Sequence, residues 1–437
     1  MSYELSAKCM KFFLHTTGCK ANQWDSHVIV NKLKDKGLVP GHIGDADFIV
    51  INACTLTDGA ERDVRRFINA GRRKNGKAKI ILAGCHAQVY PDRNYGADLV
   101  LGQEDKFLID EYLQKKGCFV TNLSLLGDSP LIGDDPFGDL PVGKTRFFFK
   151  IQDGCDRFCS YCIVPYARGK PRSRPADDVF RVMEFLKKKA VKEVVLTGIE
   201  ISAYRDPGTG AGLKELLRRL EKSETPERIR ISSVDPLYID DELMDIIAGS
   251  DKLTKSLHIS MQSASDRVLE GMGRRYTQAY IRKVLERLQE RLEDVGMGLD
   301  VIVGFPGEDE AQFLETYRFL ESARIYYLHV FPFSARSGSL AAMFPDQVPR
   351  ALKKERVKLL KQLDAAKRRT FYERFQGKTM EIIPEGKLYR GQYMRGYTGN
   401  YLPVHIPFTK NLENNCVPVT IKGIEDGMLI GETKGTL

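Results

Sequence analysis

Short apolar runs alternate with amphipathic stretches through the first part of the chain. KFFLHTT, DFIVINA and KIILAG are typical of strands buried on both faces of a parallel sheet. Between two of these runs, DGAERDVRRFINAGRRK has a helical spacing of apolar residues, and Asp58 is predicted to cap its N-terminus. The pattern predicts a parallel α/β domain over residues 1–139.

The alternation stops at LLGDSPLIGDDPFGDLPVGK, whose Gly, Pro and Asp content indicates a linker, and restarts at Arg146. Six strand candidates follow: RFFFKIQ, EVVLTG, IRISSV, SLHISMQ, GLDVIVGF and YYLHVFPF. Six βα units over residues 140–349 predict a partial (β/α)6 barrel with functional loops at the carboxyl ends of its strands. Periodicity alone leaves a doubly wound sheet open as the alternative.

The last part of the chain changes character twice. Residues 350–378 contain eleven Lys and Arg against three acidic residues, a net charge of +8, and predict a basic linker helix over 350–374. Residues 375–437 contain short β-like runs punctuated by Gly and Pro, which predict a small antiparallel barrel of the oligonucleotide-binding type. The fold class is therefore α/β, with a parallel domain, a partial barrel and a C-terminal β-barrel.

Composition narrows the class of protein. With 42% hydrophobic and 29% charged residues, the 437-residue chain is typical of a globular protein. No apolar run approaches the roughly 20 residues of a membrane span, and MSYELSAKCM lacks the apolar core of a signal peptide, so we expect a cytoplasmic protein without membrane contact. In that compartment clustered cysteines are better explained as metal ligands than as disulfides.

Three cysteines lie close together in DGCDRFCSYCIVPYARG, just after the first barrel strand. Cys155, Cys159 and Cys162 supply three thiolates, which leave one iron of a 4Fe-4S cluster open to a small molecule. A zinc site needs a fourth ligand, which this loop lacks, although a distant ligand would provide one.

Three further cysteines each follow a predicted parallel strand. Cys19 follows KFFLHTTG, Cys54 follows DFIVINA, and Cys85 follows KIILAG. The carboxyl ends of parallel strands share one edge of the sheet, where ligands bind. A single such cysteine is more often a buried structural residue, but three at equivalent positions predict a second cluster. Cys9, Cys118 and Cys416 have no such repeated context.

The C-x-x-x-C-x-x-C spacing, with Tyr161 before the last cysteine, resembles the radical S-adenosylmethionine superfamily. The resemblance implies that the open iron binds S-adenosylmethionine, whose reductive cleavage gives a 5′-deoxyadenosyl radical. By their positions at strand ends, further residues are expected to bind this cofactor or line its cavity: Thr197, Gly198, Glu200, Ser260, Gln262, Val303 and Gly304.

Nearly the whole chain resembles the methylthiotransferase family of these enzymes. The likeness rests on TTGCKANQWDS, NACTLTDGAERDVRR and LAGCHAQ, on the radical motif, and on a C-terminal TRAM-like module. Lys20 and Asn22 in G-C-K-x-N favour the branch that modifies threonylcarbamoyladenosine over the isopentenyladenosine branch (G-C-Q-M-N) and the ribosomal-protein branch (G-C-P-K-N). Ala53 replaces a usual Thr, and Ser339 stands where Thr is frequent, but neither change removes a ligand.

The family resemblance implies a reaction and its partners. The expected enzyme inserts sulfur and a methyl group at carbon 2 of threonylcarbamoyladenosine at position 37, using S-adenosylmethionine and two 4Fe-4S clusters. Cys19, Cys54 and Cys85 would hold the cluster that supplies sulfur. The expected partners are the tRNA anticodon loop, a reducing electron donor protein and a sulfur donor, and the chain is expected to be a monomer. The isopentenyladenosine enzyme is the alternative.

Charge placement indicates contact with RNA. The net charge of +9 is a weak indicator by itself, whereas basic groups beside the cluster loop and the C-terminal barrel favour phosphate contacts. Tyr389, Tyr393 and Tyr397 add aromatic rings that can stack on bases. A non-catalytic RNA-binding protein with structural zinc remains the alternative from another class. The predicted RNA-binding residues are Arg168, Arg172, Arg174, Lys353, Lys354, Arg368, Arg369, Arg390 and Arg395.

Overall fold

A computed structural model of the chain describes residues 9–126, 131, 138 and 145–433. Of the predicted linker, residues 125–144, only 125–126, 131 and 138 belong to this described part. The chain separates into two compact units. The first comprises Met1–Leu140, Asp153–Arg157 and Cys162–Arg172, and the second comprises Pro141–Gln152, Phe158–Tyr161 and Ser173–Leu437.

A six-stranded, entirely parallel sheet forms the core of the first unit. Its strands, in spatial order β2-β1-β3-β4-β5-β6, pair in parallel throughout. Apolar residues bury β3 and β4 almost completely, as expected when helices cover both faces of a sheet. The strands are β1 (Lys11–Thr16), β2 (Val39–Pro40), β3 (Phe48–Asn52), β4 (Lys79–Ala83), β5 (Leu99–Leu101) and β6 (Gly117–Phe119).

Four α-helices accompany this sheet: α1 (Lys20–Asp35), α2 (Asp58–Lys74), α3 (Cys85–Val89) and α4 (Ile109–Tyr112). The prediction that Asp58 caps α2 is wrong by one residue, because the cap is Thr57. Thr57 has extended backbone and its side chain accepts a hydrogen bond from the Ala60 amide, so Asp58 is the first helical residue. Its carboxylate lies in the first turn, where negative charge is favourable.

The second unit contains the six predicted barrel strands: β7 (Arg146–Lys150), β10 (Glu193–Thr197), β11 (Arg228–Ile231), β12 (Ser256–Gln262), β13 (Gly296–Val303) and β14 (Tyr327–Pro332). Two strands of two residues each, β8 (Gln152–Asp153) and β9 (Arg172–Ser173), lie between β7 and β10 in the sequence. The six barrel strands form two parallel three-stranded sheets, β11-β10-β7 and β12-β13-β14. Isolated parallel bridges, Ile229–Leu253 and Val234–Ile259, continue the order from β11 to β12. The parallel pairing along one continuous strand order is that of the predicted partial barrel.

Helices follow these strands: α6 (Ala176–Lys188), α7 (Leu213–Glu221), α8 (Asp241–Ala248), α9 (Asp266–Gly271), α10 (Gln278–Arg291) and α11 (Glu310–Ser322). The short α5 (Val164–Arg168) belongs instead to the first unit, where it packs against α3. The alternating side chains of β12 and β13 divide into two faces. Leu257, Ile259 and Met261 are fully buried, whereas His258 and Ser260 lie on the opposite, inner face.

A long basic helix and a closed five-stranded barrel complete the second unit. The helix is α12 (Arg350–Glu373), and the barrel order is β15-β16-β17-β19-β18. The barrel strands are β15 (Thr379–Tyr389), β16 (Tyr393–Tyr397), β17 (Pro403–Pro407), β18 (Val417–Glu425) and β19 (Met428–Thr433). Arg230 of β11 connects this barrel to the larger one, because it pairs with Glu193 and donates to the carbonyl oxygens of Thr398 and Gly399.

Among the residues that the structure describes, none of the helices has the length and apolar character needed to cross a bilayer.

Candidate metal centres

The three dispersed cysteines lie at the carboxyl ends of adjacent strands, as predicted. Cys19 precedes the first residue of α1, Cys54 lies two residues after β3, and Cys85 is the first residue of α3, just after β4. Because β1, β3 and β4 are neighbours in a parallel sheet, these positions share one edge.

Close packing brings the three thiols together. Gly18 has a φ of +96°, and a Cβ there would overlap the Cβ of Cys54 and lie 2.6 Å from its Sγ. Burial, reinforced by the neighbouring thiols of Cys19 and Cys85, raises the pKa of Cys54 to about 12. Burial also raises the pKa of Cys85, against the opposing effect of Arg168 and Lys106. Both effects agree with three thiols gathered at one edge of the sheet.

Buried amides fix the loops that carry these cysteines. The Asn22 side chain donates to the carbonyl oxygens of Thr17 (2.7 Å) and Asn52 (3.1 Å). Asn52 returns a hydrogen bond to the Asn22 carbonyl oxygen, and Thr17 Oγ1 accepts from the Cys54 amide at 2.8 Å. The ends of β1 and β3 are thus tied together directly beneath Cys19 and Cys54, which favours preorganised ligands.

A fully buried charged network adjoins Cys85. Arg168 donates to Cys85 Sγ (Nε to Sγ, 3.2 Å), to both oxygens of Asp153 (2.9 Å each) and to Asp25 Oδ2 (2.9 Å). Lys106 donates to the same oxygen of Asp25 at 2.6 Å, and its side chain has no exposed surface. The two cations and two carboxylates balance, so the network places N–H donors beside a thiol without leaving a net charge buried.

The donor set fits an iron–sulfur cluster. Three thiols, one with intermediate exposure and two buried, supply the ligands that such clusters take in proteins. The Arg168 guanidinium donates an N–H hydrogen bond to the Cys85 sulfur, and such hydrogen bonds are one of the means by which proteins set the reduction potential of these clusters. Cys19, Cys54 and Cys85 would hold the group and leave one iron open.

The loop with the C-x-x-x-C-x-x-C motif is held by its own backbone. The Cys155 amide donates to the Gly169 carbonyl oxygen (3.0 Å), and a Cβ at Gly154 would overlap the Lys170 carbonyl group. In the second unit, Arg274 Nη1 lies 3.5 Å from Cys159 Sγ. Its Nη2 also donates to Asp235 and to the Ser260 carbonyl oxygen, so the guanidinium is fixed beside this thiol.

The predicted cofactor-binding residues lie at the carboxyl ends of β10, β12 and β13. Thr197 ends β10 and is buried; Gly198 then packs on Gln152, whose side chain accepts from the Glu200 amide at 2.8 Å. Gln262 ends β12 with a φ of +70°, beside Ser260. Val303 and Gly304 end β13, and Tyr161 precedes Cys162 with intermediate exposure. Their contact with S-adenosylmethionine stays a prediction.

The predicted RNA-binding residues fall into three groups by burial. Arg168, Arg172 and Arg174 are buried, and Arg172 pairs with Glu104. Because they were assigned to phosphate contacts as exposed basic residues, that assignment loses its basis. Lys353 and Arg368 are half-buried, the latter paired with Asp364. Arg395 is also half-buried, over the Tyr389 ring at 4.4 Å. The exposed members are Lys354, Arg369 and Arg390.

Sequence patterns missed the charged support of both thiol sets. Asp25, Lys106, Asp153 and Arg274 were not singled out. A signal was present for two of them, because Asp25 lies within TTGCKANQWDS and Asp153 opens the radical motif.

Comparison with known proteins identifies the family. The Radical SAM superfamily matches residues 149–320, and an uncharacterized protein family, UPF0004, matches residues 11–102. The threonylcarbamoyladenosine tRNA methylthiotransferase MtaB of Aquifex aeolicus is 38% identical over 395 residues, which is 88% of this chain and 96% of that protein. The tRNA-2-methylthio-N(6)-dimethylallyladenosine synthase of Thermotoga petrophila is 33% identical over 398 residues, 88% of each chain.

A solved structure agrees with the fold. The radical S-adenosylmethionine methyltransferase TsrM from Kitasatospora setae aligns with a TM-score of 0.55 and 14% identity, over 73% of this chain and 72% of that one. The chain belongs to the tRNA methylthiotransferase family of radical S-adenosylmethionine enzymes, which use S-adenosylmethionine and two 4Fe-4S clusters.

Proposed function

We propose that the chain methylthiolates carbon 2 of threonylcarbamoyladenosine at position 37 of tRNA, beside the anticodon. The main observation that supports this reaction is that Cys19, Cys54 and Cys85 lie at one edge of the sheet, in addition to the three-cysteine radical motif. The choice of nucleoside is supported by the relative from Aquifex aeolicus, whose name specifies threonylcarbamoyladenosine and which aligns over most of the chain.

The division of labour among residues follows from the reaction. Carbon 2 of adenine carries a C–H bond that no side-chain base can usefully ionise. When bound, S-adenosylmethionine and the clusters supply the carbon radical, the sulfur and the methyl group. Cys155, Cys159 and Cys162 would hold one cluster, and Cys19, Cys54 and Cys85 the other.

Further residues would orient these groups. We assign the methionine part of the cofactor to Thr197, Gly198 and Glu200, with the remaining predicted contacts from Tyr161, Ser260, Gln262, Val303 and Gly304. Arg274 and Arg168 each place a guanidinium against a ligand sulfur, Cys159 and Cys85 respectively. Fixed N–H donors of this kind hold thiolates in place and stabilise their negative charge.

The RNA contact is assigned to exposed surface only. We propose that the C-terminal barrel is a TRAM-like module and that the exposed residues Lys354, Arg369 and Arg390 contact phosphates beside it. We leave out Arg168, Arg172 and Arg174 because they are buried. The proposed domains are residues 1–139, 140–349, 350–374 and 375–437. A reducing electron donor protein, a sulfur donor, a monomeric state and a cytoplasmic location complete the proposal.

The isopentenyladenosine substrate is the competing one. The relative from Thermotoga petrophila, named for the dimethylallyl nucleoside, is 33% identical over 88% of this chain. Asn22 does not separate the two, because the isopentenyladenosine motif G-C-Q-M-N has an asparagine at the same position; the buried Asn22 side chain holds the cysteine loops.

The chain should restore a specific nucleoside in a cell that lacks it. We would express it in a host deleted for its own threonylcarbamoyladenosine methylthiotransferase and analyse tRNA nucleosides by mass spectrometry. Appearance of the methylthio derivative of threonylcarbamoyladenosine supports the proposal. Appearance of the methylthio derivative of isopentenyladenosine, in a host that also lacks that enzyme, contradicts it.

A further inference from the structure

Two histidines and an aspartate meet on the inner face of the larger barrel. His258 of β12, Asp300 of β13 and His329 of β14 have ligand atoms within 4.8 Å of one another. Asp300 Oδ1 lies 2.7 Å from His258 Nε2 and 3.5 Å from His329 Nδ1. These residues come from three adjacent strands, so the backbone fixes their relative positions.

Buried aromatic residues lie on one side of the cluster, and the carboxyl ends of the strands lie on the other. His258 Nδ1 is 3.0 Å from the Tyr327 hydroxyl, and the buried Tyr327 packs near Tyr401 of the C-terminal barrel. Toward the carboxyl ends of the same strands lie Ser260 and Phe331, the latter 42% exposed. The inner face therefore changes from buried to open at the level of His329.

His329 is the accessible member of the cluster. Its side chain is 50% exposed, against 10% for His258 and 18% for Asp300. The two histidines lower the pKa of Asp300 against the raising effect of burial, so Asp300 is ionised and accepts hydrogen bonds. With Nδ1–H of His329 directed at Asp300, its Nε2 is the ring nitrogen left for another molecule.

We propose that His329 binds the polar N6 substituent of the substrate adenosine, with Asp300 and His258 orienting its ring. The inference rests on the proposed function and deepens it by naming a specificity contact. A threonylcarbamoyl group carries urea N–H groups and a hydroxyl, and both can donate a hydrogen bond to this imidazole nitrogen. A prenyl group offers no such partner and would leave the imidazole desolvated and unpaired, which disfavours the wrong substrate.

The same side chains have the composition of a two-histidine, one-carboxylate metal site. The contacts favour substrate binding instead, because His258 Nε2 and Asp300 Oδ1 are only 2.7 Å apart, a hydrogen-bond distance shorter than that between two ligands of one tetrahedral ion. Metal binding is therefore an alternative outcome that the experiment must detect.

The test compares the affinity of the full-length protein for two RNAs. Anticodon stem-loops of one sequence carry threonylcarbamoyladenosine or isopentenyladenosine at position 37, and Kd is measured by fluorescence anisotropy. The variants are His329→Phe, His329→Gln, which keeps a hydrogen-bonding group, and His42→Phe, a histidine of the first unit as control. Zinc content of each protein is measured in parallel.

We expect His329→Phe to lower the preference for the threonylcarbamoyl RNA about tenfold, near the upper end of what one hydrogen bond between neutral groups contributes. His329→Gln should retain most of the preference, and His42→Phe all of it. An unchanged preference in His329→Phe overturns the inference, as does stoichiometric zinc that this substitution removes. A wild-type protein without preference overturns the proposed nucleoside itself, and that result is visible before any variant is compared.

Discussion

Arg168 Nε lies 3.2 Å from Cys85 Sγ, so a residue six positions after Cys162 donates to a thiol of the other cysteine set. Both residues belong to the first unit. The same guanidinium is bound by Asp153 and Asp25, which leaves it one orientation. A side chain that the sequence presents as a phosphate ligand thus contacts a thiol of the proposed metal centre.

Replacing Arg168 by Gln should destabilise the protein. The substitution removes the guanidinium that contacts two buried carboxylates, Asp153 and Asp25, and breaking such a buried pair costs about 3–5 kcal/mol. Urea unfolding of the cluster-free protein measures this loss. Arg369→Gln is the matched control, because Arg369 forms an exposed pair with Glu373 and should cost about 1 kcal/mol or less. Equal losses in the two variants would contradict the structural role of Arg168.

Gly18→Ala should displace Cys54 and reduce iron content. The added Cβ would overlap the Cβ of Cys54, and the φ of +96° disfavours any other residue. Gly37→Ala is a close control, because Gly37 has a φ of +80° and no atom lies within 4 Å of the position that its Cβ would take, so it tests backbone strain alone. After anaerobic reconstitution we expect Gly18→Ala to lose up to half of the iron and Gly37→Ala to keep it. Full iron in Gly18→Ala would argue against Cys54 as a ligand.

The two cysteine sets should fail differently. Cys159→Ala should abolish reductive cleavage of S-adenosylmethionine, since that cluster has only three protein ligands. Cys54→Ala should leave cleavage largely intact and block methylthio transfer. Cys118→Ala, an exposed cysteine in β6, should change neither. Both products are quantified by mass spectrometry, and normal methylthiolation by Cys54→Ala would remove the basis for a second cluster.

The protein should become less stable in acid because Glu193 becomes protonated. Glu193 pairs with Arg230, which connects the two barrels. Burial favours a raised pKa of Glu193, but the guanidinium of Arg230, with Arg146 and Arg228, outweighs it and lowers the pKa. A lowered folded pKa stabilises the protein above the unfolded value of about 4.3, and the stabilisation is lost as pH falls through the folded pKa. The stability gap between wild type and Glu193→Gln in urea should therefore be widest at neutral pH and narrow below about pH 4. A gap that does not change with pH would contradict this.

The strands could be predicted because a buried strand requires apolar residues that are close together in the sequence. The strands before Cys54 and Cys85 are runs of apolar residues, and apolar residues recur in each of the six barrel strands, at every second position in β11. The parallel order of β1, β3 and β4 places the three cysteines at one edge. Strand β16 (YMRGY) is harder to recognise from sequence, because its half-buried face carries Tyr, Arg and Tyr, a pattern that equally fits an RNA-stacking surface.

The charged residues could not be placed in the same way. Arg168 and Arg172 pair with carboxylates far away in the sequence, Asp25 and Glu104, and such pairing leaves no local pattern. A basic run therefore has the same appearance whether it faces solvent or a buried network. The inner-face cluster of His258, Asp300 and His329 was missed for the same reason, since each residue stands alone in its own strand.

The most direct test is a competition assay with the reconstituted, cluster-loaded enzyme. Equal amounts of anticodon stem-loops bearing threonylcarbamoyladenosine or isopentenyladenosine at position 37 are incubated with S-adenosylmethionine, a reductant and sulfide, and the nucleosides are analysed by mass spectrometry. We predict that the methylthio group is found on threonylcarbamoyladenosine. Transfer to isopentenyladenosine alone, or to neither nucleoside while S-adenosylmethionine is cleaved, would contradict the proposed function.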